Sequence, residues 1–227
     1  MLNSTNYLGP FEGFSGNLRD EFQKHATIIR FSKKENPFDV DSLLKWFYII
    51  ESGKVKVYDI NFKTNREQTL YLLSRGDMYD VVPLLDNQEH NLATEILEPG
   101  RAIRFPLEKV REWMREFPKF EQLIYRYVAQ QMRQVEELAL DLSLLETKER
   151  LLKLLLKNYK SIEKRGVDLL SKLSHSEIAS LIGTVRHIID RHLKSLKKEG
   201  LLESESKQKK LEISNLGKVL ELLEDAQ

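Results

Sequence analysis

The chain contains no cysteine among its 227 residues. That excludes disulfides, thiolate metal sites and cysteine-ligated iron–sulfur clusters. No apolar run approaches the ~20 residues that a membrane span needs. The N-terminus is polar and aromatic rather than basic and then apolar, so no signal peptide is expected and the chain is read as cytoplasmic. An H-x-H metal-ligand pair, a P-loop, a G-x-S-x-G turn and a cysteine nucleophile are all missing. The expectation is therefore a protein that is not an enzyme.

With 41% apolar and 31% charged residues, the chain reads as globular, and its length suits one large or two small domains. The net charge of +1 hides an asymmetry. Residues 147–213 hold 16 Lys+Arg against 9 Asp+Glu, a net of +7, which leaves 20 against 26, a net of −6, elsewhere. A basic C-terminal part fits nucleic acid bound at one end, although chance asymmetry of this size is common.

After a loose polar lead-in over residues 1–10, Leu18 to His25 suits a short helix. The signal then changes to strands: residues 27–31, 46–50, 54–58, 69–73, 93–97 and 102–105. Turn signals separate them at Asn36-Pro37, Glu51-Ser52-Gly53, Arg75-Gly76-Asp77 and Pro99-Gly100. Short strands at this rhythm predict a small antiparallel jelly roll or barrel. From Phe117 to Leu145 the period becomes helical, with Ile124, Val128, Met132, Val135, Leu138, Leu142 and Leu145 three or four apart. About 29 residues span roughly 40 Å, so this stripe should pack on a partner of equal length or on its own β domain. A second helix follows over residues 147–159 after a hinge at Leu145–Thr147, then a polar loop at 161–166. Residues 215–224 read as a final helix, and residues 225–227 should fray.

The most informative stretch runs from Leu173 to Leu202. Ser174 followed by Glu177 is the S-x-x-E capping box. Ile178, Leu181 and Ile182 face one way, and Gly183 allows a left-handed turn. A second helix begins near Thr184 or Val185, with Ile188, Ile189, Leu193 and Leu196 on one face. Arg186, His187, Arg191, Lys194, Lys197 and Lys198 occupy the other face, and Gly200 ends it. This is a helix-turn-helix arrangement whose second helix is sized for the DNA major groove, although a helical hairpin with a solvated basic face has the same local pattern. Beyond it, Leu201–Leu202 and Leu211–Ile213 flank a polar run with Lys207, Lys209 and Lys210, the outline of a β-hairpin wing suited to phosphates.

These residues resemble the winged helix of the CRP/FNR superfamily (catabolite-activator and fumarate-nitrate-regulator type). The match runs through Ser174, Glu177, Ile178, Ala179, Ile182, Gly183, Arg186, Ile189, Arg191, Leu193, Leu196 and Gly200. In the N-terminal half, Ile50 to Tyr58 and Gly76-Asp77 resemble the β-roll sensor of the same superfamily, and Glu146, Arg150, Leu151, Leu155 and Leu156 its next helix. The fold implied is α+β: a β-roll over residues 1–116, a dimerisation helix over 117–146 and a winged helix-turn-helix over 147–227. The resemblance implies a homodimer on a palindromic DNA site, with RNA polymerase as a further partner and no membrane. It places Arg186, His187 and Arg191 against bases. Ser174, His175, Ser176, Thr184, Lys207 and Lys209 fall near phosphates. Ile124, Val128, Met132, Val135, Leu138 and Leu142 fall in the dimer interface. The usual glutamate of the recognition helix is His187 here, so the half-site does not carry over.

The effector pocket implied by the resemblance comprises Met78, Tyr79, Asp80, Asn91, Leu92 and Met132. Tyr79-Asp80-Val81 stands where the family has F-G-E, and Asn91-Leu92-Ala93 where it has R-S/T-A. An anionic phosphate buried there without arginine lacks a compensating charge, which argues against cyclic AMP. Haem remains open, with His90 as the ligand and nitric oxide or carbon monoxide as the signal. Another small ligand, no ligand, and a dimeric interaction module without specific DNA binding also remain.

Overall fold

The computed structural model of the chain describes residues 16–38, 44–203 and 211–224. Helix α1 (Asn17–His25) leads into five strands, β1 (Thr27–Phe31), β2 (Trp46–Asn61), β3 (Arg66–Leu73), β4 (Met78–Tyr79) and β5 (Ala93–Pro106), with α2 (Val81–Asp86) before β5. Then come α3 (Leu107–Glu116), α4 (Pro118–Leu144), α5 (Thr147–Arg165), α6 (His175–Leu181), α7 (Arg186–Lys198) and α8 (Leu216–Glu224). Among the described residues no helix is long and apolar enough to cross a membrane.

The strands form one sheet in the order β1-β5-β2-β3, with β4 on β2. β1 runs antiparallel to β5 from Thr27↔Arg104 to Phe31↔Gly100, and β4 antiparallel to β2 through Tyr48↔Tyr79 and Ile49↔Met78. The run Trp46-Phe47-Tyr48-Ile49-Ile50 is continuously apolar because the sheet is buried on both faces. Phe47 and Ile49 enter one cluster with Phe22, Phe105, Trp113 and Phe120, whereas Tyr48 and Ile50 enter another with Phe31, Phe38, Val55 and Tyr79.

Two expected turns lie instead within long strands. β2 continues through Glu51-Ser52-Gly53, and β5 through Pro99-Gly100. At these points the two neighbouring strands approach each other backbone to backbone. A Cβ on Gly100 would lie 1.9 Å from the Ser52 carbonyl oxygen, and one on Gly53 would lie 2.7 Å from that of Glu98. The glycines mark backbone contact, a second meaning of glycine in a strand.

α2 and α3 were not expected. α3 buries Leu107, Val110, Trp113 and Met114 on one face. Residues 161–165, expected as a polar loop, extend α5. The Tyr159 hydroxyl donates to Glu163 one turn on (2.8 Å), and Gly166 at φ +64° ends the helix.

Two compact units result: Met1–Val57 with Tyr71–Gln134, and Tyr58–Leu70 with Val135–Gln227. The division therefore falls inside α4, not at its ends, and the far end of the β2–β3 hairpin belongs to the second unit. The second unit's core gathers Leu151, Leu155, Leu170, Ile178, Ile182, Ile189, Leu193, Leu196, Leu201 and Val219. Those on α6 and α7 are the apolar positions that the helical spacing picks out.

Candidate nucleic-acid interface and effector site

The helix-turn-helix is built by local chemistry. Ser174 Oγ accepts from the Glu177 amide (3.2 Å), and the Glu177 carboxylate accepts from the Ser174 amide, the reciprocal capping box. Gly183 adopts φ +64°, and its missing Cβ would meet Leu142 Cδ2 at 2.4 Å and Gln68 Oε1 at 2.8 Å. Val185 is extended and caps α7, so the helix presents its first turn with Arg186 and His187 outward. Ile189, Leu193 and Leu196 turn inward. Arg191, Lys194 and Lys198 are exposed on the outer face. His192, half-buried beside α5, is held below its ordinary pKa by burial and by the charges of Arg191 and Lys148.

Of the residues expected near phosphates, Ser174 and Ser176 are exposed at the start of α6, and His175 and Thr184 are half-exposed. Lys207 and Lys209 lie outside the described residues, as does the expected fraying at 225–227. The flanks of the wing are present: Leu202 bridges Ile213 in antiparallel fashion, and the Glu203 amide donates to the Glu212 carbonyl (3.1 Å).

The turn of this motif has partners that sequence reasoning missed. Arg66 Nη2 donates to the Gly183 carbonyl (2.7 Å), Gln68 Nε2 to the Ser180 carbonyl (3.2 Å), and Thr69 and Ser180 share a hydroxyl–hydroxyl bond (2.8 Å). All belong to the second unit. No local pattern could announce contacts across more than 100 residues of chain.

In the first unit, the residues expected to line an effector pocket differ in burial and in the core cluster that they join. Met78 and Tyr79 are neighbours on a strand and point to opposite faces. The Met78 amide donates to the Tyr127 hydroxyl (2.9 Å), and that hydroxyl lies 3.0 Å from the Met78 carbonyl, so Tyr127 ties α4 to β4. Met132 and Asn91 are exposed, and Leu92 is half-buried. The Asp80 side chain is fully buried, with one oxygen 3.3 Å from His90 Nε2 and the other without a hydrogen-bond partner. Burial pushes its carboxyl pKa up, and the contact with His90 opposes that shift.

His90 does not fit a haem ligand in this arrangement. Its Nδ1 accepts from the Leu92 amide (3.3 Å), which leaves the proton on Nε2, directed at Asp80. Both ring nitrogens are therefore engaged, and no lone pair is offered to iron. The other histidine of this unit, His25, pairs with Glu21 (3.4 Å) and packs on Trp113.

The expected dimer stripe also needs correction. Ile124 is 0% exposed inside its own core, with Phe120, Leu123, Tyr127 and Val128 around it. The apolar side chains that α4 leaves in solvent are Tyr125, Met132, Leu140, Leu142 and Leu144. Within the expected stripe, Ile124 and Val128 pack on the chain's own core, whereas Met132 and Leu142 are exposed.

Residues 149–222 match the family of Crp-like helix-turn-helix domains, and residues 23–117 match the cyclic nucleotide-binding domain. The chain is 29% identical over 156 residues to a cyclic AMP receptor protein of Thermus thermophilus, covering 68% of this chain and 69% of that one. It is 23% identical over 202 residues to a CRP-like cAMP-activated global transcriptional regulator of Mycobacterium tuberculosis, covering 88% and 90%. Among solved structures, FixK2 from Bradyrhizobium japonicum aligns at a TM-score of 0.75 with 19% identity over 87% of this chain and 96% of that one. A CooA mutant from Carboxydothermus hydrogenoformans aligns at 0.73 with 22% identity over 98% of each. At these identities the structural likeness is one of fold.

Proposed function

The chain belongs to the CRP/FNR superfamily of transcription regulators, and from that premise we propose that it binds a palindromic promoter site as a homodimer. The observation that carries this is the exposed first turn and outer face of α7, with Arg186, His187 and Arg191 exposed above an apolar inner face. Arg186 and Arg191 are assigned to bases, because a guanidinium pairs bidentately with guanine. His187 joins them. Ser174, His175, Ser176 and Thr184 are assigned to phosphates, together with Lys207 and Lys209 of the wing. The outward side chains of Arg186, His187 and Arg191 also disfavour a module without specific DNA binding.

Residues 117–146 are assigned to dimerisation, through Tyr125, Met132, Leu140 and Leu144 with Val128 and Val135 at the margin. The working site is cytoplasmic, with RNA polymerase as the downstream partner, and the protein carries no catalytic role. The names of the relatives refer cyclic AMP to those proteins. For this chain an effector other than cyclic AMP is favoured, because Asn91-Leu92-Ala93 supplies no arginine and the Asp80 carboxylate is turned into the fold against His90. The reading is tested by selecting binding sites from a randomised duplex library, then repeating the selection with Arg186→Ala and Arg191→Ala.

A further inference from the structure

The basic outer surface of the helix-turn-helix contains one acid that the DNA reading does not use. Asp190 is the sole acidic residue of α7. Its two carboxylate oxygens serve two different helices. Oδ1 meets Nδ1 of His175, the first residue of α6, and Oδ2 lies 3.7 Å from Nε of Arg186, one turn earlier on α7. The three side chains are exposed by 38% (His175), 46% (Asp190) and 71% (Arg186). Asp190 thus stands between a residue assigned to bases and one assigned to phosphates, on the surface that would face DNA.

A carboxylate in this place has two consequences of opposite sign. A long arginine side chain on an open helix face samples many rotamers, whereas pairing with guanine requires one plane and one direction. An acceptor four residues on restricts that choice, and its second oxygen fixes His175 on the same brace. Against this, an acid among phosphate-facing cations lowers affinity for every duplex alike, since backbone attraction follows the local charge. We propose that Asp190 is a specificity-determining positioning residue: it aims Arg186 at its base and weakens binding to DNA of random sequence. This inference rests on the DNA reading given above.

The test compares wild type, Asp190→Ala, Asp190→Asn, Arg186→Ala and the double variant Arg186→Ala/Asp190→Ala. Each is carried through site selection and through affinity measurements on the selected duplex and on a random-sequence duplex. Asp190→Ala should flatten, several-fold, the same base position that Arg186→Ala flattens. Its affinity for the random duplex should rise several-fold. Asp190→Asn, equal in shape but uncharged, should show the same rise with part of the flattening. The double variant should be no flatter at that position than Arg186→Ala. A merely structural role would lower both affinities together, and that result, or an unchanged base preference, overturns the proposal. A wild-type protein that selects no sequence at all would instead defeat the DNA reading on which the proposal stands.

Discussion

Thr69 and Ser180 lie 111 residues apart in the chain, yet their hydroxyl oxygens are 2.8 Å from each other in a buried hydrogen bond. Ser180 Oγ also donates to the Glu177 carbonyl (2.9 Å), so Thr69 supplies the proton and Ser180 passes one on. The bond fastens β3 to the first helix of the helix-turn-helix, beside the Arg66 and Gln68 contacts to the turn.

Breaking that bond should cost stability. Thr69→Val and Ser180→Ala should each lose about 0.5–1.5 kcal/mol in denaturant unfolding, the usual net contribution of such a bond. Because both changes remove one interaction, the double variant should lose clearly less than the sum. Strict additivity would show that the two hydroxyls do not act on each other.

The buried Asp80 carboxyl should make the first unit's stability depend on pH. Burial raises its pKa above the unfolded value, so the native state keeps its proton to higher pH than the unfolded chain. The stabilisation is then complete below the ordinary carboxylate value of about 4 and declines as pH rises through the folded pKa. Asp80→Asn keeps an acceptor for His90 and removes the titration. It should melt higher than wild type at pH 7, and the gap should close towards pH 4. A gap independent of pH would contradict the assignment.

On α4, burial separates two kinds of apolar side chain. Ile124→Ala should destabilise the fold by about 2–5 kcal/mol, as buried aliphatic truncations do, without changing the association state of the folded protein. Met132→Glu and Leu140→Glu alter exposed side chains (62% and 58%) and should leave the fold intact while shifting native mass from twice 26.7 kDa towards 26.7 kDa. Sedimentation equilibrium reads both outcomes, and a dimer that survives both glutamates would rule out this face.

Much of the second unit was legible because its signals are local. A capping box, a turn glycine and apolar spacing of three and four are all set within about ten residues, and α6 and α7 lie where those signals put them. The sheet was less legible. Ser52-Gly53 and Pro99-Gly100 carry turn residues, but what they encode is the close backbone approach of β2 and β5, a relation between segments nearly fifty residues apart. The stripe on α4 misled for a related reason: periodicity shows that a side chain will be buried, not what buries it. Ile124 found its own core, whereas Tyr125, one residue later, is exposed. Met78 and Tyr79 join different core clusters because the pleat sends successive strand residues to opposite faces, which composition alone does not show. Asp190, His90 and Asp80 were visible as residues, but their pairings depend on distances that only the fold supplies.

The most direct test of the central claim is site selection on the full-length protein, followed by footprinting of the selected duplex. A two-fold symmetric site is expected, with half-sites one helical turn apart, about 10–10.5 base pairs centre to centre. Arg186→Ala and Arg191→Ala should each weaken binding to it by about 1–3 kcal/mol and relax one base position per half-site. Selection of no sequence, or of an asymmetric site on which both variants bind as tightly as wild type, would contradict the assignment of α7 as the recognition helix of a dimeric regulator.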